Sequence, residues 1–282
     1  MNLTSPSQVK AWCIEHGFHP NKVLGQNFLI DRNALLSIVD AGMEFLSTSP
    51  DQSRILEVGP GLGVLTEEML SRGAAVTAVE KDPVLAARLK ESLGSPEKLE
   101  VVPGDALKFI ATGGADAEYD AMISNLPYQA GTRILLDLVI AHKIPSMTVL
   151  VQTEVAERLA AKEGSKIRSL SGVWAQLDYD VKVLRKLPPN CFWPRPQICS
   201  SVVRLVRHDR NASMTPEERK LFHSLTKRAF EHRRKQLGSI FKDLIQSTAR
   251  AEELSNEDWI TISWEWIRRC CPAPSLPPSP IF

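Results

Sequence analysis

The residues with the clearest chemical potential are Asn125-Leu126-Pro127-Tyr128. One chemistry that these residues suit is the activation of a base amine such as the exocyclic amine of adenine. That amine is a poor nucleophile, because its lone pair is delocalised into the ring. Two acceptors that hold both N–H groups favour a pyramidal nitrogen, and the Asn125 side chain and Leu126 carbonyl offer two. Pro127 restricts Leu126 to an extended conformation, and Tyr128 offers a flat face for a stacked base. The same residues also suit a turn at a strand end.

Three further segments with ligand-binding potential each follow a predicted strand. The predicted strands are 55–58, 75–79, 99–102 and 119–124. In the same order, the segments that follow them are Gly59-Pro60-Gly61-Leu62-Gly63, Glu80, Gly104-Asp105 and the tetrapeptide. Each strand is a short apolar run. Because open α/β sheets bind ligands at the carboxyl ends of their strands, we expect all four segments to meet in one crevice.

The glycine loop and the two acids suit a nucleoside ligand. Gly59 and Gly61 let the backbone approach a ligand closely, but their GxGxG spacing departs from the GxGxxG of dinucleotide sites. A nucleoside without phosphates is therefore favoured. Glu80 lies where ribose hydroxyls are held in such folds, and Asp105 is placed to accept a bond from an adenine amine. Singly, each also fits a tight turn, a helix cap or a solvated side chain.

The N-terminal region offers a further candidate in Leu24-Gly25-Gln26-Asn27-Phe28-Leu29. Two amides beside a flexible glycine suit gripping a polar small molecule, and a connecting loop is the alternative. Before it, Ser5-Pro6-Ser7-Gln8 has the form of a capping box and predicts a helix that closes near Gly17. After it, Asp31 is predicted to cap a helix through about Ile38.

The chain beyond the tetrapeptide is predicted to complete the sheet. The expected elements are helices at 132–141 and 154–161, with strands at 147–151, 173–184 and 200–206. This gives an α/β fold with about seven strands, and the polar stretch 162–169 is predicted to be a mobile loop. The rigid loop 188–196 presents Phe192, Trp193 and Arg195. It suits stacking on an unpaired base, or a hydrophobic clamp between domains.

The C-terminal part is predicted to be helical after a linker at 208–213. A capping box at Thr215-Pro216-Glu217-Glu218 opens a strong helix. The basic side chains expected along one face of it are Lys220, Lys227, Arg228, Arg234 and Lys235. They suit phosphate contacts or plain solvation. Arg233 falls on the apolar side, so it is expected to pair with an acid or to reach across a domain boundary. Further helices are predicted at 240–251 and from Ser255 to about 269.

The charge of this 282-residue chain is unevenly distributed. Residues 1–206 carry 21 basic and 23 acidic side chains, whereas 207–282 carry 13 and 10. No apolar run approaches a membrane span, and the N-terminus lacks the pattern of a secretion signal, so we expect a cytoplasmic protein. Nothing in the sequence demands more than a monomer.

The cysteines and histidines indicate neither disulfides nor a metal site. Five cysteines form no CxxC pair, so reduced thiols are expected. Cys13, His16 and His19 are spaced at threes, but Gly17 and Pro20 interrupt their helix and no fourth ligand is evident. No metal is therefore predicted.

Together these motifs resemble those of the small-subunit ribosomal RNA adenine N6,N6-dimethyltransferases. Members of that family transfer two methyl groups from S-adenosylmethionine to N6 of each of two adjacent adenosines. The resemblance runs from about Asn21 to Ser255. The segments that carry it are Leu24-Gly25-Gln26-Asn27-Phe28-Leu29, Glu57-Val58-Gly59-Pro60-Gly61-Leu62-Gly63, Asn125-Leu126-Pro127-Tyr128 and Ala229-Phe230-Glu231-His232-Arg233-Arg234-Lys235.

The resemblance implies a fold and a role for each candidate residue. The fold is a Rossmann-like class I S-adenosylmethionine-dependent methyltransferase domain at 1–207, a small helical RNA-binding domain at 208–271, and a disordered proline-rich tail at 272–282. The implied catalytic residues are Asn125, Leu126, Pro127 and Tyr128. The implied cofactor-binding residues are Asn27, Leu29, Gly59, Gly61, Glu80, Asp105 and Asn125. Tyr128 and Phe192 are expected to sandwich the target base. The expected RNA contacts are Lys227, Arg228, Arg234 and Lys235.

The implied partner is the small ribosomal subunit with its rRNA, and the implied role includes subunit biogenesis. The sequence departs from the family pattern in three places, at Ile167-Arg168-Ser169, His232 and Gly238-Ser239. Methylation of large-subunit RNA is one alternative function, because related enzymes carry it out. A mainly non-catalytic role in ribosome assembly is an alternative from another class. DNA methylation is a weaker alternative.

Overall fold

The computed structural model describes residues 1–21, 24–242 and 245–270, and the predicted tail at 272–282 lies outside them. The strands are β1 (Phe28–Leu29), β2 (Arg54–Val58), β3 (Ala75–Glu80), β4 (Leu99–Pro103), β5 (Ala121–Asn125), β6 (Ser146–Gln152), β7 (Tyr179–Leu187), β8 (Phe192–Trp193) and β9 (Ser200–Arg207). The α-helices are α1 (Pro6–Glu15), α2 (Arg32–Met43), α3 (Val64–Ser71), α4 (Pro83–Ser92), α5 (Ala106–Ala111), α6 (Gly131–Ala141), α7 (Thr153–Ala160), α8 (Leu170–Asp178), α9 (Pro216–Glu231), α10 (Leu237–Ile240) and α11 (Asn256–Cys270). None of these helices combines the length and apolar character that a membrane crossing requires.

Seven strands form one sheet, as the sequence predicts, in the order β4-β3-β2-β5-β6-β9-β7. The first five in that order are parallel, whereas β9 runs antiparallel to both β6 and β7. Helices cover both faces, which explains why β2 and β5 are apolar along most of their length. Parallel pairing brings the carboxyl ends of β2, β3, β4 and β5 to one edge.

Hydrophobic clusters on the two faces hold the helices to the sheet. One face is packed by α1 to α4 through residues such as Ile38 and Met69, and the other by α6 and α7 through residues such as Leu135 and Leu159. A third cluster gathers α9, α10 and α11 around Trp259 and includes residues of α8. Helix α8 therefore connects the C-terminal helices to the sheet.

The strand predicted at 173–184 is wrong over its first half. Residues Leu170–Asp178 form α8, which runs directly into β7 at Tyr179. Val173 and Leu177, one helical turn apart, pack into the third cluster. No glycine or proline separates the helix from the strand, so the sequence lacks the turn signal that would mark the change.

The helix predicted at 240–251 is also wrong. Helix α10 ends at Ile240, and residues 245–250 are irregular. The N–H of Leu237 donates to the Ala249 carbonyl at 2.8 Å, and the N–H of Gly238 donates to the Ser247 carbonyl at 2.9 Å. The irregular segment thus satisfies N–H groups at the start of α10, which have no partner within their own helix.

Two of the three predicted capping arrangements are confirmed. Asp31 accepts from the backbone at the start of α2, and Thr215-Pro216-Glu217-Glu218 forms the reciprocal box before α9. The box at Ser5 does not form, since Ser5 makes no side-chain cap. Gln8 accepts instead from the N–H of Asn2 at 2.7 Å.

The segment at 162–169, predicted as a mobile loop, is anchored to the C-terminal helices. The N–H of Gly164 donates to the Glu252 carbonyl at 2.8 Å. Arg168 is only 1% exposed, and its Nη2 donates to Asn256 Oδ1 at 3.0 Å. Because a buried guanidinium is costly unless it is hydrogen-bonded, these contacts hold the segment in place.

Two Arg–Asp pairs near α8 have the same N–O distance but differ in burial. Comparing them tests how burial sets the contribution of an ion pair to stability. Arg219 and Asp178 join α9 to α8 at 2.6 Å with side chains 23% and 6% exposed, and hydrogen bonds from His142 and Arg219 hold the pKa of Asp178 below its usual value despite burial. Arg210 and Asp180 are also 2.6 Å apart, but 61% and 65% exposed. We expect Arg219→Met to lower the free energy of unfolding by roughly 2–3 kcal/mol, since it strands a buried charge. Arg210→Met should cost under about 1 kcal/mol.

Urea unfolding of both variants measures the difference. Equal losses in the two variants would contradict this assignment.

Candidate active site

One cleft opens at the carboxyl ends of β2, β3, β4 and β5. Among the residues that line it are all predicted catalytic and cofactor-binding residues, namely Asn27, Leu29, Gly59, Gly61, Glu80, Asp105, Asn125, Leu126, Pro127 and Tyr128. The four sequence segments that follow predicted strands therefore meet in one place, together with the N-terminal segment.

The amide of Asn125 has a fixed orientation. Its Nδ2 donates to the Asn27 carbonyl at 3.1 Å. A carbonyl only accepts, so the atom that faces it must be the nitrogen, and Asn125 Oδ1 remains available as an acceptor in the cleft. Asn27 is itself held by a bond from its Nδ2 to the Gly25 carbonyl at 3.0 Å. The N-terminal segment thus orients the candidate catalytic amide.

The Leu126 carbonyl is a second available acceptor. The N–H of Leu126 donates to the Leu150 carbonyl at 3.1 Å, and the Pro127 carbonyl accepts from the N–H of Gly131 at 2.7 Å, where α6 begins. No residue in the described ranges donates to the Leu126 carbonyl. Asn125 Oδ1 and this carbonyl are the pair of acceptors that the tetrapeptide predicts.

Tyr128 is pinned at both ends. Its hydroxyl lies 2.6 Å from Ser200 Oγ at the start of β9. At its backbone, a Cβ on Gly25 would lie 3.3 Å from the Tyr128 nitrogen, and Gly25 has a φ of +68°. Burial raises the pKa of Tyr128 above its usual value, so the phenol is neutral at physiological pH. The ring therefore has a defined position in the cleft wall.

The glycine loop is tied to the acid that follows β3. The N–H of Gly61 donates to Glu80 Oε2 at 3.0 Å, and the N–H of Asp82 donates to Glu80 Oε1 at 2.8 Å. Burial raises the pKa of Glu80, and these backbone bonds oppose the rise. Gly61 has a φ of +60°, and a Cβ there would meet the Phe28 ring at 3.0 Å, so this position requires glycine.

Asp105 is held by a lysine that the sequence reasoning missed. Lys81 Nζ lies 2.8 Å from Asp105 Oδ2, while Asp105 Oδ1 accepts from the N–H of Leu107 at 2.9 Å. The Lys81 bond and that backbone bond lower the pKa of Asp105. Lys81 directly follows Glu80, and this position at a strand end was the available signal.

Glu57 is a second residue that the sequence reasoning left without a role. It lines the cleft at the end of β2 and is 1% exposed. Thr66 Oγ1 donates to Glu57 Oε2 at 2.6 Å. Burial raises the pKa of Glu57 to about 8, against the bond from Thr66. At neutral pH this carboxyl is therefore mainly protonated.

The stacking role expected for Phe192 does not fit the structure. Phe192 is 2% exposed, pairs with Leu29 across β1 and β8, and belongs to the hydrophobic cluster on the α1 to α4 face. A ring with both faces covered cannot stack on a base. The hydrophobic role, the alternative given for this loop, agrees better with the structure. Phe192 packs against β1, however, and not between two domains.

The predicted basic face of α9 is shorter than expected. The helix ends at Glu231, so Arg234 and Lys235 lie in the turn that follows it. Lys227 and Arg228 are exposed on the helix, and the Arg228 guanidinium lies 5.6 Å from the Phe241 ring centroid. All four predicted RNA-contact residues are exposed, but they do not share one helical face.

Arg233 has the role predicted for it. Its Nη2 donates to the Lys166 carbonyl, and its Nε lies 3.5 Å from Glu252 Oε2. Arg233 therefore pairs with an acid and joins the segment at 162–169 to the C-terminal helices. Within the run Arg233-Arg234-Lys235, the first residue is a structural clamp and the next two are exposed.

The fold and cleft are those of a Rossmann-like methyltransferase, with an open, mostly parallel sheet, a glycine loop after β2 and acids at the carboxyl ends of β3 and β4. A family profile described as "Ribosomal RNA adenine dimethylase" matches residues 17–262. The chain belongs to this family, whose methyltransferases are of the S-adenosylmethionine-dependent kind.

Curated relatives are similar over most of their length. The "Ribosomal RNA small subunit methyltransferase A" of Deinococcus radiodurans is 42% identical over 241 residues, which cover 83% of this chain and 76% of that protein. The protein of the same name from Mesorhizobium japonicum is 37% identical over 270 residues, which cover 88% and 94%.

Solved structures share the fold. A dimethyladenosine transferase from Plasmodium falciparum matches with a TM-score of 0.73 at 20% identity, covering 86% of this chain and 98% of that one. The 23S rRNA methyltransferase ErmE matches with a TM-score of 0.63 at 23% identity, covering 85% and 99%.

The pKa of Glu57 predicts a pH-dependent loss of stability. The pKa rises from its usual 4.5 in the unfolded chain to about 8 in the fold. Between these values the folded state binds more protons, so stability falls as pH rises toward 8 and levels off above it. Glu57→Gln keeps an acceptor for Thr66 but cannot ionise. Its free energy of unfolding relative to the wild type should therefore increase by up to about 1.4 kcal/mol per pH unit.

Urea unfolding between pH 5 and 9 measures this difference. Glu100→Gln, at an exposed glutamate, is the control for a Glu-to-Gln exchange outside the core. A difference for Glu57→Gln that does not change with pH would refute the buried, protonated carboxyl.

Proposed function

We propose that this protein transfers methyl groups from S-adenosylmethionine to N6 of two adjacent adenosines near the 3′ end of small-subunit (16S) rRNA, giving N6,N6-dimethyladenosines. The observation that carries the proposal is the pair of free acceptors, Asn125 Oδ1 and the Leu126 carbonyl, in the cleft that the glycine loop also lines. The names of the curated relatives support the choice of small-subunit RNA.

The residues of the cleft fit the cofactor. The Glu80 carboxylate accepts two backbone bonds and has lone pairs left for ribose hydroxyls. Asp105, fixed by Lys81, would accept from the adenine amine, and Gly59 and Gly61 would let the backbone approach the nucleoside. Asn27 and Leu29 would complete the site from the N-terminal segment. When bound, the cofactor supplies an electrophilic methyl group on a sulfonium.

The chain's own residues act on the target amine. In the first transfer, Asn125 Oδ1 and the Leu126 carbonyl would each accept one N–H of N6, which concentrates the lone pair on the nitrogen and directs it in line with the methyl group. The bond from that methyl to sulfur would break as the bond to nitrogen forms, and its electron pair would stay on sulfur. In the second transfer the amine has one N–H left, so only one of the two acceptors would hold it. The contribution is orientation and electrostatics. The methylated amine is cationic and loses its proton to water, so no side chain needs to act as a base before attack. Tyr128 would stack on the base.

The same proposal assigns the remaining parts of the chain. The C-terminal helices would contact rRNA and assist small-subunit biogenesis, with the methyltransferase domain at 1–207 and the RNA-binding domain at 208–271. Because ribosomal subunits are the substrate, the protein would work in the cytoplasm, and we propose a monomer.

Methyl transfer to ribosomal particles tests the proposal. Labelled S-adenosylmethionine is offered with small subunits that lack the modification, with naked rRNA and large subunits as controls, and the product is mapped. Dimethyladenosine at two adjacent positions of the small-subunit RNA is the expected product. Transfer only to large subunits, or tight subunit binding without transfer, would overturn the proposal.

Substitution of Tyr128 separates base stacking from cofactor binding. Tyr128→Ala should lower kcat/KM by about 5- to 150-fold, because a stacked base contributes roughly 1–3 kcal/mol. Affinity for S-adenosylmethionine should change less than about twofold, since the ring contacts the target base. Tyr128→Phe keeps the ring but loses the bond to Ser200, so it is the matched control and should retain most activity. Equal loss of cofactor affinity and turnover in Tyr128→Ala would sink the assignment.

The run at 233–235 allows a matched test of RNA contact. Arg234→Ala and Lys235→Ala should each lower the slope of log affinity for small-subunit RNA against log salt by about 1. Arg233→Ala should leave that slope unchanged and lower the Tm, because Arg233 is bound to Lys166 and Glu252. Salt titration of RNA binding, with thermal unfolding in parallel, measures both. The same slope change in all three variants would contradict the division.

A further inference from the structure

The outer edge of the sheet at β7 carries a group of exposed cations. The members of this β7 edge surface are Lys182, Arg185 and Lys186 on the strand and Arg195 in the loop after β8. The only acid between residues 179 and 199 is Asp180, which pairs with Arg210. Within the described part of the chain, none of the four cations forms an ion pair. This concentration of positive charge is hidden in the composition, because residues 1–206 as a whole are slightly acidic.

The opposite edge of the same sheet lacks this excess of cations. From residue 97 to the end of β4 the charged side chains are Glu97, Lys98 and Glu100, all exposed. The Lys98 ammonium donates to the carbonyls of Asp51 and Gly73 at 2.8 Å each, and neutral carbonyls do not offset its charge. The β4 segment therefore has two acids and one cation, whereas β7 has three cations and one acid. Solvation alone would not require cations to collect at one edge of the sheet. Their concentration at β7 favours an anionic partner there.

The β7 edge surface leads to the cleft. The last residue of β7 pairs with Ser200, whose hydroxyl is 2.6 Å from the hydroxyl of Tyr128. Lys186 directly precedes that residue. Strands rise about 3.3 Å per residue, so Lys182 to Lys186 spans about 13 Å. That length is enough to meet more than one phosphate of an RNA strand whose target base lies at Tyr128.

An exposed apolar side chain lies close in sequence to both Arg195 and Ser200. Ile198 is 45% exposed and lies between Arg195 and Ser200 along the chain. Surfaces for unpaired nucleic acid combine cations that follow the backbone with aromatic side chains on which bases stack. Ile198 is aliphatic, so it offers an apolar contact and no stacking face. An acidic peptide would explain the cations, but it would not explain their course toward a base-binding cleft.

We infer that the β7 edge surface binds the phosphates of the RNA strand that flanks the target adenosine. The inference rests on the proposed function and adds a second RNA-binding surface, on the methyltransferase domain itself. Its cations contribute charge rather than base recognition, so they set affinity and salt dependence and leave the chemical step unchanged.

Neutralising the edge tests the inference in the full-length protein. The variant combines Lys182→Gln, Arg185→Gln and Lys186→Gln. A matched control removes three exposed cations elsewhere, with Lys10→Gln, Arg88→Gln and Lys90→Gln. A charge-preserving variant combines Lys182→Arg, Arg185→Lys and Lys186→Arg. Methyl transfer to unmethylated small subunits gives KM and kcat, and salt titration of labelled small-subunit RNA gives the slope.

The edge variant should raise KM about tenfold or more, with kcat within twofold, and lower the salt slope by about 2, since each cation on a single strand contributes roughly 0.7. The control and the charge-preserving variant should match the wild type, and cofactor affinity should be the same in all. An edge variant with wild-type KM and slope would overturn the inference, whereas a wild type that binds RNA through this edge but transfers no methyl group would overturn only the proposed function. Equal losses in the edge variant and the control variant would also overturn the inference about the β7 edge surface, because the effect would then follow net charge alone.

Discussion

The Glu80 carboxylate joins the segments that form the cleft. It accepts from the glycine loop at Gly61 and from the N–H of Asp82, and Asp82 in turn accepts from Gln26 Nε2 at 2.9 Å. One buried acid thus links the loops after β2 and β3 to the N-terminal segment. Its burial is tolerable because backbone donors satisfy both oxygens. Without Glu80 the glycine loop would lose its only hydrogen bond to a side chain among the described residues. The backbone conformation of the loop, with its positive φ values, would then be less stable.

The remaining features of the cleft depend on the same edge. The N-terminal segment that Gln26 ties to Asp82 also places the Asn27 carbonyl against Asn125 and so selects the orientation of that amide. On the other side, β9 fixes Tyr128 through Ser200. Acceptors and aromatic ring are therefore positioned by elements far apart in sequence. Under the proposed function, this fixed arrangement would be the preorganisation that orientation-based catalysis requires.

Local patterns predicted most of the sheet and the cleft, whereas long-range packing decided the rest. The parallel strands were readable because each is a short, mostly apolar run. The runs of β2, β3 and β4 lead to a glycine or an acid, the run of β5 leads to the tetrapeptide, and the sheet edge then follows from topology. The sequence could not show that α8 runs into β7 without a break, or that 245–250 pairs with the start of α10. It also gave no sign that Phe192 is buried against β1, since an aromatic in a proline-rich loop fits exposure and burial equally well. Lys81 and Glu57 have roles that depend on partners fixed only by the fold.

A crystal structure of the protein with S-adenosylhomocysteine tests the central claim, that one sheet edge holds both the cofactor and the target amine. We expect ribose hydroxyls within hydrogen-bond distance of Glu80 and an adenine amine at Asp105. We also expect the sulfur to face the space in front of Asn125 Oδ1 and the Leu126 carbonyl. A ligand bound outside this cleft, or one whose sulfur lies away from Asn125, would refute this arrangement.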